Sequence, residues 1–363
     1  MVTMLDCIKR VPAHMDWILK HRKETFAPIW KKSQAELSQV QEIILIGSGT
    51  SSTSAITAQS LMERVSGLRV STILPADYMY HKTIMPPHVL YVFISQTGTS
   101  AMTRQAIAKA KKQGGLTLTI SQAADTPAAQ EADLFINMGC GKEEWPMRTI
   151  GYSSSVMTLV LLAAELGRLQ GKLEIPDYER IIRDAESVRD VIPDVIRRAE
   201  KWMDTDRRTM LRSDCLIFTG SGALAGVAME ASVKVWETPQ ITSFYYELEE
   251  GTHGPNFGYS HRHCIIVLND GGVENDKAVA LARYMKNEMN NGFMIGANTI
   301  DEHDLPLDLT GGLFECLQFA AAIQVVAYRL AIDQGYDLFH RSHGNMQKYF
   351  DSHKPLDIDR DEH

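Results

Sequence analysis

The sequence predicts an α/β protein built from two αβα sandwiches with parallel sheets, of flavodoxin-like or Rossmann-like plan, with a helical arm before them and a tail after them. Short β-rich runs alternate with amphipathic stretches, which is the pattern of strand–helix units around a parallel sheet. A strand–Gly-x-Gly–helix unit occurs twice, Gly220 and Gly222 falling 173 residues after Gly47 and Gly49. With 363 residues, 44% of them hydrophobic, the chain is long enough to bury two cores of ordinary size.

A helical N-terminal arm is expected over 1–38 and a first domain over 39–172. Its strands are "EIILIG" (42–47), "LRVSTI" (68–73), "VLYVFIS" (89–95), "LTLTIS" (116–121) and "DLFINM" (133–138), with helices at 51–65, 99–113 and 153–170. A polar helical connector covers 173–210, with Pro176 and Pro193 as punctuation. The plan then restarts over 211–335 with "CLIFTGSGALAGVAME" (215–230). Strands follow at "ITSFYY" (241–246), "HCIIVLN" (263–269) and "GFMIGAN" (292–298), and helices at 275–290 and 312–333. The recurrence points to duplication. Residues 336–363 form the tail.

Composition narrows the function. A net charge of −8 and a pI near 5.9 leave no broad basic footprint for nucleic acid. The longest strongly apolar stretch, Val156 to Leu166, is too short to cross a bilayer, and "MVTMLDCIKRVPAHMDW" lacks the apolar core of a secretory signal, so a cytoplasmic protein with no membrane partner is expected. Five scattered cysteines with no CxxC argue for reduced thiols. His340 and His343, and the pair in "HRH" (261–263), each lack a third ligand, so no metal is expected, and the chemistry below needs no cofactor.

In open parallel sheets ligands sit beyond the carboxyl ends of the strands. There the first domain carries "GSGTS", with Gly49, Thr50 and Ser51, and "SQTGTS", with Ser95, Gln96, Thr97, Thr99 and Ser100 around Gly98. Hydroxyls, an amide and free N–H groups at helix N-termini suit a phosphate. The same hydroxyls also suit simple helix capping. No lysine follows the glycines, and Ser52 stands where a dinucleotide fingerprint has its third glycine, so a nucleotide is disfavoured. In the second domain the corresponding run ends "LNDGGVEND" (268–276), whose carboxylates would repel phosphate.

"GSGTS", "SQTGTS", a second strand–"GSG"–helix, "KVWE" and "THGP", in that order, resemble the sugar isomerase (SIS) domain pair. The likeness runs from about 40 to 350. It extends to the isomerase half of glucosamine-6-phosphate synthase and, more closely, to the fructosamine and glucoselysine 6-phosphate deglycases. The resemblance implies that Ser51, Ser95, Gln96, Thr97 and Ser100 bind the 6-phosphate of a hexose. It implies that Glu237 transfers the proton and that His253 opens the sugar ring, with Lys234 in support and Lys348 on a tail folded over the sugar. Lys234 lies three residues before Glu237, on the same helical face. A carboxylate and a second acid/base group suit proton movement between C1 and C2 of a sugar.

The leading expectation is a deglycase that cleaves a glycated amino acid 6-phosphate to hexose phosphate and free amino acid. An aldose–ketose or aminosugar phosphate isomerase using the same pair is the alternative, and a non-catalytic sugar-phosphate sensor a second one. Ammonia-dependent synthesis is not expected, because about forty residues before the first strand are too few for a glutaminase domain. The resemblance also implies an obligate homodimer with shared active sites, the "EEGTHGP" loop reaching into the neighbouring subunit.

Overall fold

A computed structural model of the chain describes residues 2–31, 34–335 and 352–353. The arm contains α1 (Met4–Thr25), α2 (Ala27–Lys31) and α3 (Gln34–Leu37). The first α/β unit follows as β1 (Glu42–Ile46), α4 (Thr50–Ser66), β2 (Arg69–Ile73), α5 (Pro75–Tyr80), β3 (Val89–Ile94), α6 (Ala101–Lys112), β4 (Leu116–Ser121), α7 (Pro127–Glu131), β5 (Leu134–Asn137) and α8 (Ile150–Leu169). The long α9 (Ile175–Arg212) leads to β6 (Cys215–Gly220), α10 (Ala223–Glu237), β7 (Ser243–Glu247), β8 (His263–Asn269), α11 (Asn275–Asn287), β9 (Gly292–Gly296), β10 (Leu305–Pro306) and α12 (Cys316–Asp333).

Both sheets are five-stranded and parallel, ordered β2-β1-β3-β4-β5 and β7-β6-β8-β9-β10. The second is the first repeated, strand for strand, as the Gly-x-Gly recurrence predicts. The two glycine turns repeat in detail, Gly49 at φ 57°, ψ −133° and Gly222 at φ 54°, ψ −126°. Such positive φ is open to glycine at little cost. The short β10 and the one-turn helices α5 and α7 have too little periodicity to be read from sequence.

Alternate residues of each strand feed different cores. Ile43 and Leu45 of β1, and Leu90, Val92 and Ile94 of β3, join one large cluster that also takes Cys264, Ile266 and Leu268 of β8 and side chains from α1, α4, α8, α9, α10 and α12. Ile44, Ile46, Tyr91 and Phe93 face the opposite way, onto α6. Ile265 and Val267 pack on α11. The inner faces of both sheets therefore share one core, with helices between them, and each fully buried aliphatic side chain contributes ~1.5–3 kcal/mol.

The expected connector is one helix: α9 runs through Pro193 for 38 residues. A proline removes one helical hydrogen bond, but the stripe Ile181, Ala185, Val188, Ile192, Val195, Ala199 and Trp202 is buried along the whole helix and holds it together. The apolar stretch in α8 is also longer than Val156–Leu166. α8 and α12 are both long and apolar enough to cross a membrane by length and composition, yet 100% and 78% of their apolar windows are buried inside the protein.

The contact that matters most for function is between α4 and α10. A Cβ on Gly226 would lie 2.3 Å from Thr57 Oγ1 and 2.5 Å from Thr57 N. With no side chain there, the two helices touch backbone to side chain, and the first turn of α4 is brought against the charged end of α10.

Candidate active site

The hydroxyl run after the first glycine turn is spent in an unexpected way. Thr53 Oγ1 donates to Glu230 Oε2 at 2.5 Å and Thr50 Oγ1 to Glu230 Oε1 at 3.3 Å. Lys234 Nζ donates to Thr50 Oγ1 at 3.2 Å and forms ion pairs with Glu230 at 3.2 Å and Glu237 at 2.5 Å. Glu230, Lys234 and Glu237 stand at i, i+4 and i+7 on one face of α10. Glu230 and Lys234 have side chains 0% exposed, whereas Glu237, at the end of the helix, is 38% exposed. Thr50 and Thr53 thus bind the charged helix of the other half, whereas Ser51 points its hydroxyl elsewhere, accepting from Arg148 Nη1 at 2.8 Å.

The electrostatics follow from burial and from the chain of partners. Burial pushes the Glu230 carboxyl above its ordinary value, with Lys234 and Thr53 pulling it partly back. Burial also works against the Lys234 charge, but Glu230 and Glu237 together outweigh it, so the ammonium is held more firmly than usual. A lysine clamped between two carboxylates fixes the position of Glu237 while leaving that side chain open on its outer side.

The cradle around Gly98 is formed at the end of β3. Gly98 has φ 64°, and a Cβ there would lie 2.6 Å from Thr126 Cβ, so the turn needs glycine. Neither helix beyond the two turns is capped by its own residue: Ser100, at the N-cap of α6, makes no capping bond, and Gly49 has no side chain to offer. Thr97 and Thr99 share a hydrogen bond at 2.9 Å, and Thr99 also contacts His353 Nδ1 at 3.0 Å. The Ser352 carbonyl accepts from Ala101 N at 3.1 Å, which places this piece of the tail at the mouth of α6.

Gln96 behaves differently from its neighbours. Its side chain turns into the protein, where Nε2 lies 3.5 Å from Glu143 Oε2 and Oε1 is buried without a hydrogen-bond partner. Glu143 in turn accepts from the backbone N–H groups of Thr149, Ile150 and Gly151, at 2.8, 2.8 and 3.3 Å, and so caps α8. His253 is not near this cluster in its hydrogen bonding: its ring pairs with Glu249 at 2.8 Å and its side chain is 65% exposed. Lys348, His340 and His343 lie outside the described residues, as does most of the expected tail.

Sequence reasoning missed Glu230, Thr53, Glu143 and Arg148. For Glu230 a signal was present, since "AGVAMEASVKVW" sets one carboxylate among small apolar residues a turn before Lys234. Arg148 had no local signal; its place depends on the capping of α8 by Glu143.

Residues 36–165 match the SIS domain family. A glutamine–fructose-6-phosphate aminotransferase (isomerizing) from Symbiobacterium thermophilum is 26% identical over 61% of this chain, and the match spans 36% of that relative. Two solved structures share the fold over nearly the full length. One is a candidate phosphosugar isomerase from Clostridium difficile 630, at 21% identity and TM-score 0.87, covering 96% of this chain and 99% of that one. The other is the C-terminal domain of glucosamine-fructose-6-phosphate aminotransferase from Francisella tularensis, at 20% identity and TM-score 0.85, covering 92% and 96%. The first domain therefore carries the SIS-domain match, and the described chain shares its two-sheet fold with these two structures. The chain spans between about a third and just over half the length of the curated aminotransferases it matches.

Proposed function

We propose that the protein is a phosphosugar enzyme that moves a proton between C1 and C2 of its substrate, and that the substrate is a glycated amino acid 6-phosphate. The observation that carries this reading is the Glu237 carboxylate, half-exposed and clamped by the buried Lys234, at the same end of the molecule as the hydroxyl turns. Glu237 takes a proton from the amine-bearing carbon and returns it to the neighbouring carbonyl carbon, while the amine proton passes to the carbonyl oxygen, so that the carbon–nitrogen bond becomes a Schiff base and the carbonyl a hydroxyl. Water adds to that C=N bond and the amino acid leaves as the free amine, giving the hexose phosphate. Ser51, Ser95, Thr97 and Ser100 hold the phosphate, with the N–H groups of the β3–α6 turn. A cytoplasmic setting, where hexose phosphates are made and consumed, fits this use.

The names of the relatives favour a second reading, an aldose–ketose isomerase using the same carboxylate. A panel of fructoselysine, glucoselysine and other glycated amino acid 6-phosphates, beside fructose 6-phosphate and glucose 6-phosphate, separates the two. Release of free amino acid is the expected result. Interconversion of the plain hexose phosphates without amino acid release gives the site to an isomerase.

The ring-opening role of His253 belongs, on this proposal, to the site of a second subunit. Its loop is exposed, Phe257 beside it is 91% exposed, and Trp236, Phe244 and Tyr245 leave further apolar surface at the β7 edge of the sheet. Co-refolding inactive His253→Ala and Glu237→Gln chains is expected to restore about one site in four, the share set by random pairing in a two-fold dimer. No recovery in mixed dimers shown to have formed rejects the shared site.

A further inference from the structure

We propose that Arg148 is a charged ligand of the substrate phosphate, seated over the crevice between the β1–α4 and β3–α6 turns. The proposal rests on the phosphosugar reading and adds the cation that fixes the charge preference of that site.

Arg148 is a half-buried arginine whose observed hydrogen bond goes to a neutral hydroxyl, Ser51 Oγ, at 2.8 Å. Among the described residues no carboxylate oxygen comes within ion-pairing distance of it. The acidic groups around it are already engaged, Glu143 with the first N–H groups of α8 and Glu230 and Glu237 with Lys234. A guanidinium drawn out of water costs several kcal/mol unless an anion meets it, and burial accordingly weakens its hold on the proton. The site is therefore short of one negative group.

The position says which group. The sheet order β2-β1-β3-β4-β5 reverses direction between β1 and β3, and α4 and α6 leave those strands toward opposite faces. Ligands of open parallel sheets bind in the crevice at that point. Arg148 and the helix start that follows it reach the crevice from its two sides. The arginine bonds Ser51 at the end of β1, and the helix start it precedes packs on Gln96 at the end of β3, where a Cβ on Gly151 would fall 2.1 Å from Gln96 Oε1. Hydroxyls and backbone N–H groups bring no full charge to a phosphate dianion, whereas a guanidinium offers a planar fork matched to two phosphate oxygens. The capping of α8 by Glu143 holds the loop, so the arginine is placed before the ligand arrives.

The test is calorimetric titration of the full chain with inorganic phosphate and with fructose 6-phosphate. Arg148→Met is expected to weaken both by ~30-fold or more, the scale found when a buried charged partner is removed. Arg148→Lys, which keeps the charge and loses the fork, is expected to fall between, and it carries the test if the methionine variant fails to fold. Unchanged affinity for both ligands in either variant overturns the proposal. A wild-type protein that binds neither ligand overturns the phosphosugar reading together with this one, so the two failures are told apart.

Discussion

Glu237→Gln is expected to keep the fold and the affinity for phosphate while losing nearly all turnover. The amide fills the same volume and can still accept a hydrogen bond from Lys234, so the 2.5 Å contact has a neutral counterpart. It cannot take a proton from carbon, a step for which a positioned base is worth ~10²–10⁴-fold. The measurement is kcat on whichever compound of the substrate panel turns over, beside a phosphate titration of the same preparation. A variant that keeps more than about a tenth of the wild-type kcat has lost under ~1.4 kcal/mol of transition-state stabilisation, and Glu237 is then not the base.

Lys234→Met is expected to destabilise the whole chain by ~3–5 kcal/mol, because it leaves the Glu230 charge buried with hydroxyl partners alone. The loss has a pH signature of definite sign. Glu230 already has its carboxyl raised above the ordinary value of 4.5, and removing the lysine raises it further. A carboxyl whose folded value lies above its unfolded one favours the folded state at low pH, and that support is lost as pH rises from about 4.5 through the folded value. The variant should therefore approach wild-type stability in acid and fall away toward neutrality, read by denaturant unfolding at a series of pH values. Adding Glu230→Gln to Lys234→Met should recover much of the loss at neutral pH. A single variant within ~1 kcal/mol of wild type at pH 7 would show that the charged cluster is not held as described.

The fold was legible in the sequence because its signals are local and repeated. Each strand of the first sheet is a run of apolar residues bounded by glycine or polar turns, and "GSG" at 47–49 and 220–222 marks the start of both units. The site was only half legible. Lys234 and Glu237 are neighbours on one helix and could be paired by spacing, but the partners that bury Lys234 come from Thr50, 184 residues away. Thr50 and Thr53 look the same in sequence as Ser51, yet they bind a carboxylate and a lysine of α10 while Ser51 meets Arg148. The difference is made by which side of α4 lies under Gly226, which no local pattern records. Gln96 shows the converse. It stands in the middle of a cradle motif, but its side chain is drawn inward by Glu143, which has a separate task at the start of α8.

The close seat of Gly226 on Thr57 also sets an order of events during synthesis. Thr50 leaves the ribosome 180 residues before Glu230, which at ~5–20 residues per second is on the order of 10–40 s. Throughout that interval the side of α4 that meets α10 stays uncovered even after α8 has packed on the helix, and Thr50 and Thr53 lack their partners on α10. The nascent first unit is thus a half-covered sandwich waiting for a helix still to be translated. A transcript cut between the two units yields not half an enzyme but a chain with an open seam, a ready client for chaperones and proteases.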